Sequence, residues 1–329
     1  MKILVYLEKS DVRGGIEIFA ERHVARLRAE GHEVDVASDI RQEMGRYDEI
    51  IVHKCSDVAT LEGFPPEKTV YYVHDHEPIC PRTYAYTPLK RNCTRAGGLW
   101  PCIFCAPLCR NWKGALKRVL SQSRRKRAMA RFRKLVVISE FMKGRLVANG
   151  IPAEKIVVES PKIESLRVGI GSDRVADSTP TLNDPTSTLN DPNHAFVDIL
   201  YVGQLIRGKG VQLLLAAMAR MKTPRTLDIV GTGNMEPKLK ALAEELGIAD
   251  RVRFNGFRQN PQDWMRAARC VVVPSFWQEP YGLVAAEAVA LGRPVVAFAI
   301  GGLPEACGGK ATLVPPGDIA ALAKALENT

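Results

Sequence analysis

Short apolar runs alternate with glycine or polar turns and with stretches of helical spacing, and the chain goes through this cycle on both sides of one polar, proline-containing segment. The first round opens at residues 2–7, an apolar run followed by a loop ending Arg13-Gly14-Gly15. Ile16, Phe19, Ala20, His23, Val24 and Leu27 then recur at helical spacing. Apolar runs at 33–37, 49–53, 69–73 and 135–138 continue it. The second round opens at 197–202 and proceeds through 227–233, 251–257, 270–275, 294–298 and 311–314. Buried strands that alternate with helices assemble into a parallel sheet covered by helices, and ligands gather at its strand C-termini. The pattern therefore predicts an α/β chain built on parallel sheets, in two domains at 1–160 and 196–329. The first carries a Cys-rich insertion over about 77–110. Residues 161–195 read as a linker in which Thr181-Leu182-Asn183-Asp184-Pro185 returns as Thr188-Leu189-Asn190-Asp191-Pro192.

At 329 residues the chain is long enough for two domains with their own cores. No run reaches the roughly 18 apolar residues of a membrane-spanning helix. The apolar stretch at the N-terminus is short, is followed by Glu8 and lacks a small-residue cleavage site, so it reads as a first strand of a cytoplasmic protein. Charge is concentrated: residues 1–165 hold 29 Lys and Arg against 20 Asp and Glu, and residues 166–329 hold 17 against 16. Residues 110–134 alone carry 11 basic residues and no acidic one. The densest part, Arg124-Arg125-Lys126-Arg127, suits anionic lipid head groups or a lipid-linked diphosphate acceptor, and a solvated helix face is the plain alternative. A nucleic-acid partner is disfavoured because no groove-reading motif or stacking aromatics accompany the run.

The stretch Glu279-Pro280-Tyr281-Gly282-Leu283-Val284-Ala285-Ala286-Glu287 places two carboxylates eight residues apart across a loop-to-helix junction. Pro280 suits a first helical turn, Gly282 removes a side chain, and a helix from 283 to 291 would offer unpaired amides to a phosphate. Carboxylates at two distances from an anion suit sugar hydroxyls. Two surface glutamates on a solvent-facing helix are the plain alternative.

This stretch, with Gly292-Arg293-Pro294-Val295-Val296 and Gly301-Gly302-Leu303-Pro304-Glu305, resembles the donor-binding segment of glycosyltransferase family 4. The resemblance runs from Met1 to about Gly317. It implies a GT-B fold, two Rossmann-like, doubly wound parallel-sheet domains facing across a cleft, and a retaining enzyme that moves a sugar from a UDP- or GDP-sugar to a glycan or lipid-linked acceptor in polysaccharide or glycolipid synthesis. The Gly14-Gly15 loop would close over the donor phosphates. His74, at the end of the run Val70-Tyr71-Tyr72-Val73, would contact the donor sugar near the reacting carbon. In Gly203-Gln204-Leu205-Ile206-Arg207-Gly208-Lys209-Gly210, Lys209 matches a diphosphate ligand, while Gln204 stands where the family has Arg and Arg207 is a substitute. Gly231 forms a glycine turn, and Phe257 flanks the base.

A carboxylate nucleophile would be the usual route to retention, but no residue near Glu279 offers one. The resemblance implies instead that the leaving diphosphate takes the acceptor proton. The amides of Gly282, Leu283 and Val284, with Lys209, would stabilise its charge without a catalytic metal. Glu287 would hold the ribose and Glu279 the donor sugar. The family continues past Gly317 with several more helices, so the chain reads as C-terminally short. A nucleotide-sugar epimerase of the same architecture and a non-catalytic membrane or nucleic-acid binding protein are the competing readings.

Five of the eight cysteines, Cys80, Cys93, Cys102, Cys105 and Cys109, fall in the insertion. Cys102-x2-Cys105 spacing suits two thiolates on one tetrahedral structural zinc. Free thiols and disulfides remain open, the last disfavoured in a reducing compartment.

Overall fold

The computed structural model describes residues 1–9, 14–39, 44–80, 92–93, 102, 112–160 and 197–329. The linker and its repeat, and the insertion's Cys105 and Cys109, lie outside them. The described chain divides into two units. The first comprises Met1–Ser160 together with Trp277–Tyr281, and the second comprises, of the described residues, 197–276 and 282–329.

The first unit is built on strands β1 (Lys2–Leu7), β2 (Glu33–Ala37), β3 (Glu49–Lys54), β4 (Thr69–Val73), β5 (Lys134–Val137) and β6 (Ile156–Val158). They form one sheet in the order β2-β1-β3-β4-β5-β6, every pair parallel. Side chains alternate across a strand, so each strand feeds two cores. Ile3 and Val5 join Ile51, Val70, Tyr72 and Val136 on one face, under Val24 and Leu27 of helix α1 (Gly15–Ala29). Leu4 and Tyr6 join Ile50, Val52, Tyr71 and Val73 on the other. That face is covered by α2 (Val58–Glu62), α3 (Trp112–Arg131) and α4 (Glu140–Val147), through Leu61, Met129 and Leu146. Every residue of β4 is buried, which is why that run shows no polar alternation.

The second unit has strands β7 (Val197–Val202), β8 (Leu227–Val230), β9 (Val252–Phe254), β10 (Ala268–Val273), β11 (Val295–Phe298) and β12 (Thr312–Val314). Their order is β12-β11-β10-β7-β8-β9, again all parallel. Helices α5 (Val211–Met218), α6 (Glu236–Glu245), α7 (Pro261–Ala267), α8 (Leu283–Ala290), α9 (Leu303–Cys307) and α10 (Ile319–Glu327) cover it. α10 starts where Asp318 accepts a hydrogen bond from the Ala321 amide at 2.9 Å, and it buries Leu322 and Leu326 completely. Each such leucine contributes about 1.5–3 kcal/mol.

The strand order reverses between β1 and β3 in the first sheet and between β7 and β10 in the second. At such a point neighbouring loops run off in opposite directions and leave a crevice at the strand C-termini. No helix of the described residues is long and apolar enough to cross a membrane.

Candidate active site

In the second unit the reversal point is occupied by residues 203–210, the loop from β7 to α5. Its last turn, Arg207–Lys209, is a single 3-10 turn ending at Gly210, which has φ +78°. A Cβ on Gly210 would stand 1.8 Å from the Pro274 carbonyl oxygen, on the loop that leaves β10. The two loops are joined further by the Phe276 amide, which donates to the Gly208 carbonyl at 3.1 Å. Gln204 and Arg207 are exposed and Lys209 is half-buried. The amide of Gly231, after β8, donates to the Gly256 carbonyl at 2.8 Å, and Phe257 beside it is 62% exposed. An aromatic ring that exposed is available to a flat ligand.

Helix α8 begins at Leu283, as the sequence suggested, but without Pro280 in its first turn. Its N-cap is Gly282, at φ +113° and with no side-chain cap, so Pro280 lies outside the first turn. The left-handed backbone at Gly282 ends the preceding loop and lets the helix start only at Leu283. The first amide bonded back along the helix is that of Ala286, to the Gly282 carbonyl at 3.1 Å. Helix geometry leaves the preceding amides, including Leu283 and Val284, without a partner inside the helix, and with the dipole they favour an anion. Glu287 is one turn further in, half-buried, and accepts from Gln262 Nε2 at 3.3 Å.

Glu279, expected in the second domain, belongs with the first unit. Its segment is held by side chains of that unit. His76 Nε2 donates to the Gln278 carbonyl at 2.8 Å, and the Ser139 hydroxyl donates to the Pro280 carbonyl. Glu279 is 6% exposed, and its carboxylate accepts from Trp277 Nε1 at 2.9 Å. A buried carboxylate held by an indole N–H is oriented, unlike a free surface glutamate. Ser139 also caps α4, its Oγ accepting from the Met142 amide at 3.0 Å. Neither Trp277 nor Ser139 carried a signal in the sequence beyond its neighbourhood.

At the other end of the first unit, Gly14 is the N-cap of α1, with its amide donating to Glu17 Oε2 at 2.9 Å. Its φ of −128° is open to any residue. Gly15 is the first helical residue and is exposed. His74 follows β4, is partly buried and contacts His53, which in turn contacts His23, two histidines that the sequence reading took as strand and helix positions. Burial pushes His74 down to about 3, helped by His23, and pushes His23 down to about 4, helped by Arg26. His53 is lowered well below its ordinary value, by burial first and then by His74. Asp75 moves the other way, up to about 6, because burial and then Glu77 disfavour its charge.

The basic run does not form one face. Arg124 pairs with Glu62, Lys126 Nζ donates to Asn149 Oδ1 at 3.1 Å, and Arg127 is exposed. Arg125 corrects the patch: it is 4% exposed, its guanidinium donating to the carbonyls of Cys55 and Ser56, with Glu77 3.9 Å away. Consecutive residues project about 100° apart on a helix, so a four-residue run must send one of them inward when one face packs. Cys80, Cys93 and Cys102 are each partly buried. Among the described residues no three His, Cys, Asp or Glu are gathered to hold a metal.

Residues 197–329 match the family model "Glycosyl transferases group 1". A protein of Methanocaldococcus jannaschii named an uncharacterized glycosyltransferase is 40% identical over 111 residues, 32% of this chain and 28% of its own length. A D-inositol 3-phosphate glycosyltransferase of Corynebacterium jeikeium is 44% identical over 131 residues, 36% of this chain and 31% of its own length. The chain thus spans under a third of the length of these relatives. Among solved structures, Anabaena HepE in complex with UDP and glucose superposes with a TM-score of 0.66 at 20% identity, covering 100% of this chain and 89% of that one. WaaG, a glycosyltransferase involved in lipopolysaccharide biosynthesis, gives 0.61 at 18% identity, covering 99% and 90%. With its two parallel six-stranded sheets, the chain has a GT-B fold of two Rossmann-like units.

Proposed function

We propose that the chain is a retaining glycosyltransferase that takes a sugar from a nucleoside diphosphate donor, and that the second unit binds the nucleotide. The observation that carries this reading is the placement, in one unit, of a loop pinned at the sheet's reversal point and a helix N-terminus without a side-chain cap, with a carboxylate one turn inside it. The structural neighbour HepE was solved with UDP and with UDP-glucose, which supports a nucleotide sugar as the ligand class. On this reading the diphosphate lies at the amides of Gly282, Leu283 and Val284, with Lys209 and Arg207 supplying positive charge. Gln204 contributes hydrogen bonds only. Glu287 accepts from the ribose hydroxyls, and Phe257 lies against the base.

The acceptor hydroxyl attacks the sugar carbon from the side the diphosphate leaves, and the departing phosphate oxygen takes the hydroxyl proton. The bond to the acceptor forms as the bond to the diphosphate breaks, so configuration is retained. Charge building on the leaving group is met by fixed dipoles and cations, and a divalent metal has no role to fill. His74 and Glu279 hold the donor sugar. The lipid-linked or glycan acceptor, and contact with an anionic membrane through Arg124, Lys126 and Arg127, belong to the same proposal.

Calorimetry with UDP, GDP and ADP tests it, followed by assay of diphosphate release from the matching nucleotide sugar. Glu287→Ala should weaken the preferred diphosphate about tenfold, the equivalent of one or two lost hydrogen bonds. Glu279→Ala should leave that affinity within about twofold and lower turnover instead, because a donor-sugar contact can strengthen in the transition state. Absence of binding by all three diphosphates, or unchanged affinity in Glu287→Ala, sinks the assignment.

A further inference from the structure

Three histidines stand in a row in the first unit, and the function proposed above uses only His74. His23, from α1, puts Nδ1 at 3.1 Å from Nε2 of His53, on β3. His53 in turn puts Nδ1 at 2.9 Å from Nε2 of His74, just after β4. Both nitrogens of the middle ring are therefore engaged. Ring packing fixes the planes: His53 and His74 are stacked at 5.1 Å and 29°, and Phe19 meets His74 edge-on at 4.9 Å. Among the described residues no hydrogen bond reaches the outer nitrogens, His23 Nε2 and His74 Nδ1.

The protons can be counted. Three neutral imidazoles carry three N–H groups, and each of the two close contacts needs one N–H and one lone pair. His53, when neutral, has one of each, so both hydrogen bonds must run the same way along the row. If His74 Nε2 donates to His53 Nδ1, then His53 Nε2 donates to His23 Nδ1, and all three rings carry their hydrogen on Nε2. If the bonds run in the opposite sense, all three carry it on Nδ1. No mixed set satisfies both contacts. The third N–H thus sits at one end of the row or the other, on His23 Nε2 or on His74 Nδ1.

We propose that His53 and His23 are positioning residues for His74: the row makes the tautomer of the three rings one shared choice, and so sets whether His74 Nδ1 offers a hydrogen or a lone pair to the donor sugar. The tautomer claim stands on the row itself, and its purpose rests on the reading that His74 meets the donor. A fixed tautomer matters there because a ring that presents the wrong partner loses the contact and leaves a polar group unpaired.

The test is nitrogen-15 NMR of the full chain with labelled histidine at neutral pH, without ligand, reading which ring nitrogen of each histidine is protonated. The expected wild-type pattern is all Nε2–H or all Nδ1–H for His23, His53 and His74. A mixed set overturns the proposal, and the wild type alone decides this, whether or not any variant folds. His23→Phe, shown folded by its near-ultraviolet circular dichroism, should convert His74 from one tautomer to a mixture, although the change lies beyond His53 and touches no atom of the His53–His74 hydrogen bond. An unchanged His74 pattern in that variant also overturns it. Failure of the donor reading shows separately: His74→Ala with undiminished turnover would remove the sugar contact and leave the shared tautomer intact.

Discussion

Buried imidazoles make the stability of this chain depend on pH in a direction that can be worked out. His23, His53, His74 and His76 are all held below their ordinary value by burial, His76 to about 4. In the unfolded chain they take up protons near pH 6.5, and in the folded chain they do not until the pH falls to their lowered values. Their contribution is therefore complete above about pH 6.5 and is lost as the pH falls toward 4, at up to about 1.4 kcal/mol per pH unit for each ring. Asp75, raised to about 6, has the opposite sign, since the folded state prefers its neutral form. Its contribution is complete below the ordinary carboxylate range and lost as the pH rises through 6, so it offsets one of the four histidines. Urea denaturation at pH 7.5 and 5.5 should show a lower midpoint at the acid value, and an equal or higher midpoint there would contradict this balance. A second prediction at this scale separates space from backbone conformation. Gly210→Ala should cost about 2 kcal/mol or more, because its Cβ would collide with the Pro274 carbonyl. Gly247 has φ +66° but nothing within 4 Å, so Gly247→Ala should cost only the left-handed penalty of about 1 kcal/mol. Equal costs by chemical denaturation would mean that the loop around Gly210 yields.

Among the elements, α3 shows how a run of one charge is divided by packing. Arg125→Met should destabilise by about 1–3 kcal/mol, since it strips the carbonyls of Cys55 and Ser56 of their buried donor. Arg124→Gln, which breaks an exposed pair with Glu62, should leave the unfolding midpoint nearly unchanged. If the members other than Arg125 meet a membrane, replacing Arg124, Lys126 and Arg127 together by Gln should release the folded chain from anionic vesicles at low salt. Undiminished vesicle binding would dissociate the run from that role. The strands were legible because a buried strand writes a short apolar run, as 197–202 does without error in its limits. The start of α8 at Leu283 was legible too, but the place of Pro280 was not, because proline before a helix fits its first turn or the loop ahead of it and only the left-handed Gly282 decides between them. Arg125 was unreadable for a related reason: which side of a basic helix turns inward depends on the loop after β3, far away in sequence. The histidine row shows the same limit, since its contacts join residues 30 and 21 positions apart.

For the molecule as a whole, the two rounds of strand and helix in the sequence correspond to two parallel sheets, each reversing its strand order once. What a linear reading did not see is that the first unit is discontinuous. The chain leaves the second unit after Phe276, contributes Trp277–Tyr281 to the first, and returns at Gly282. His76 and Ser139 receive that detour by hydrogen bonds to its carbonyls. A cut made anywhere between residues 160 and 197 therefore does not yield two self-sufficient pieces, because the later piece carries five residues that complete the earlier one. Fragments 1–160 and 197–329 made as separate chains should co-purify, and exchanging Ser139 for Ala with His76 for Phe should weaken their association at least tenfold. Fragments that never associate would show that the detour adds no holding force. If they do associate, the loop that presents Glu279 is also a splint: the chain could be broken at its polar middle and still be rejoined without a covalent link.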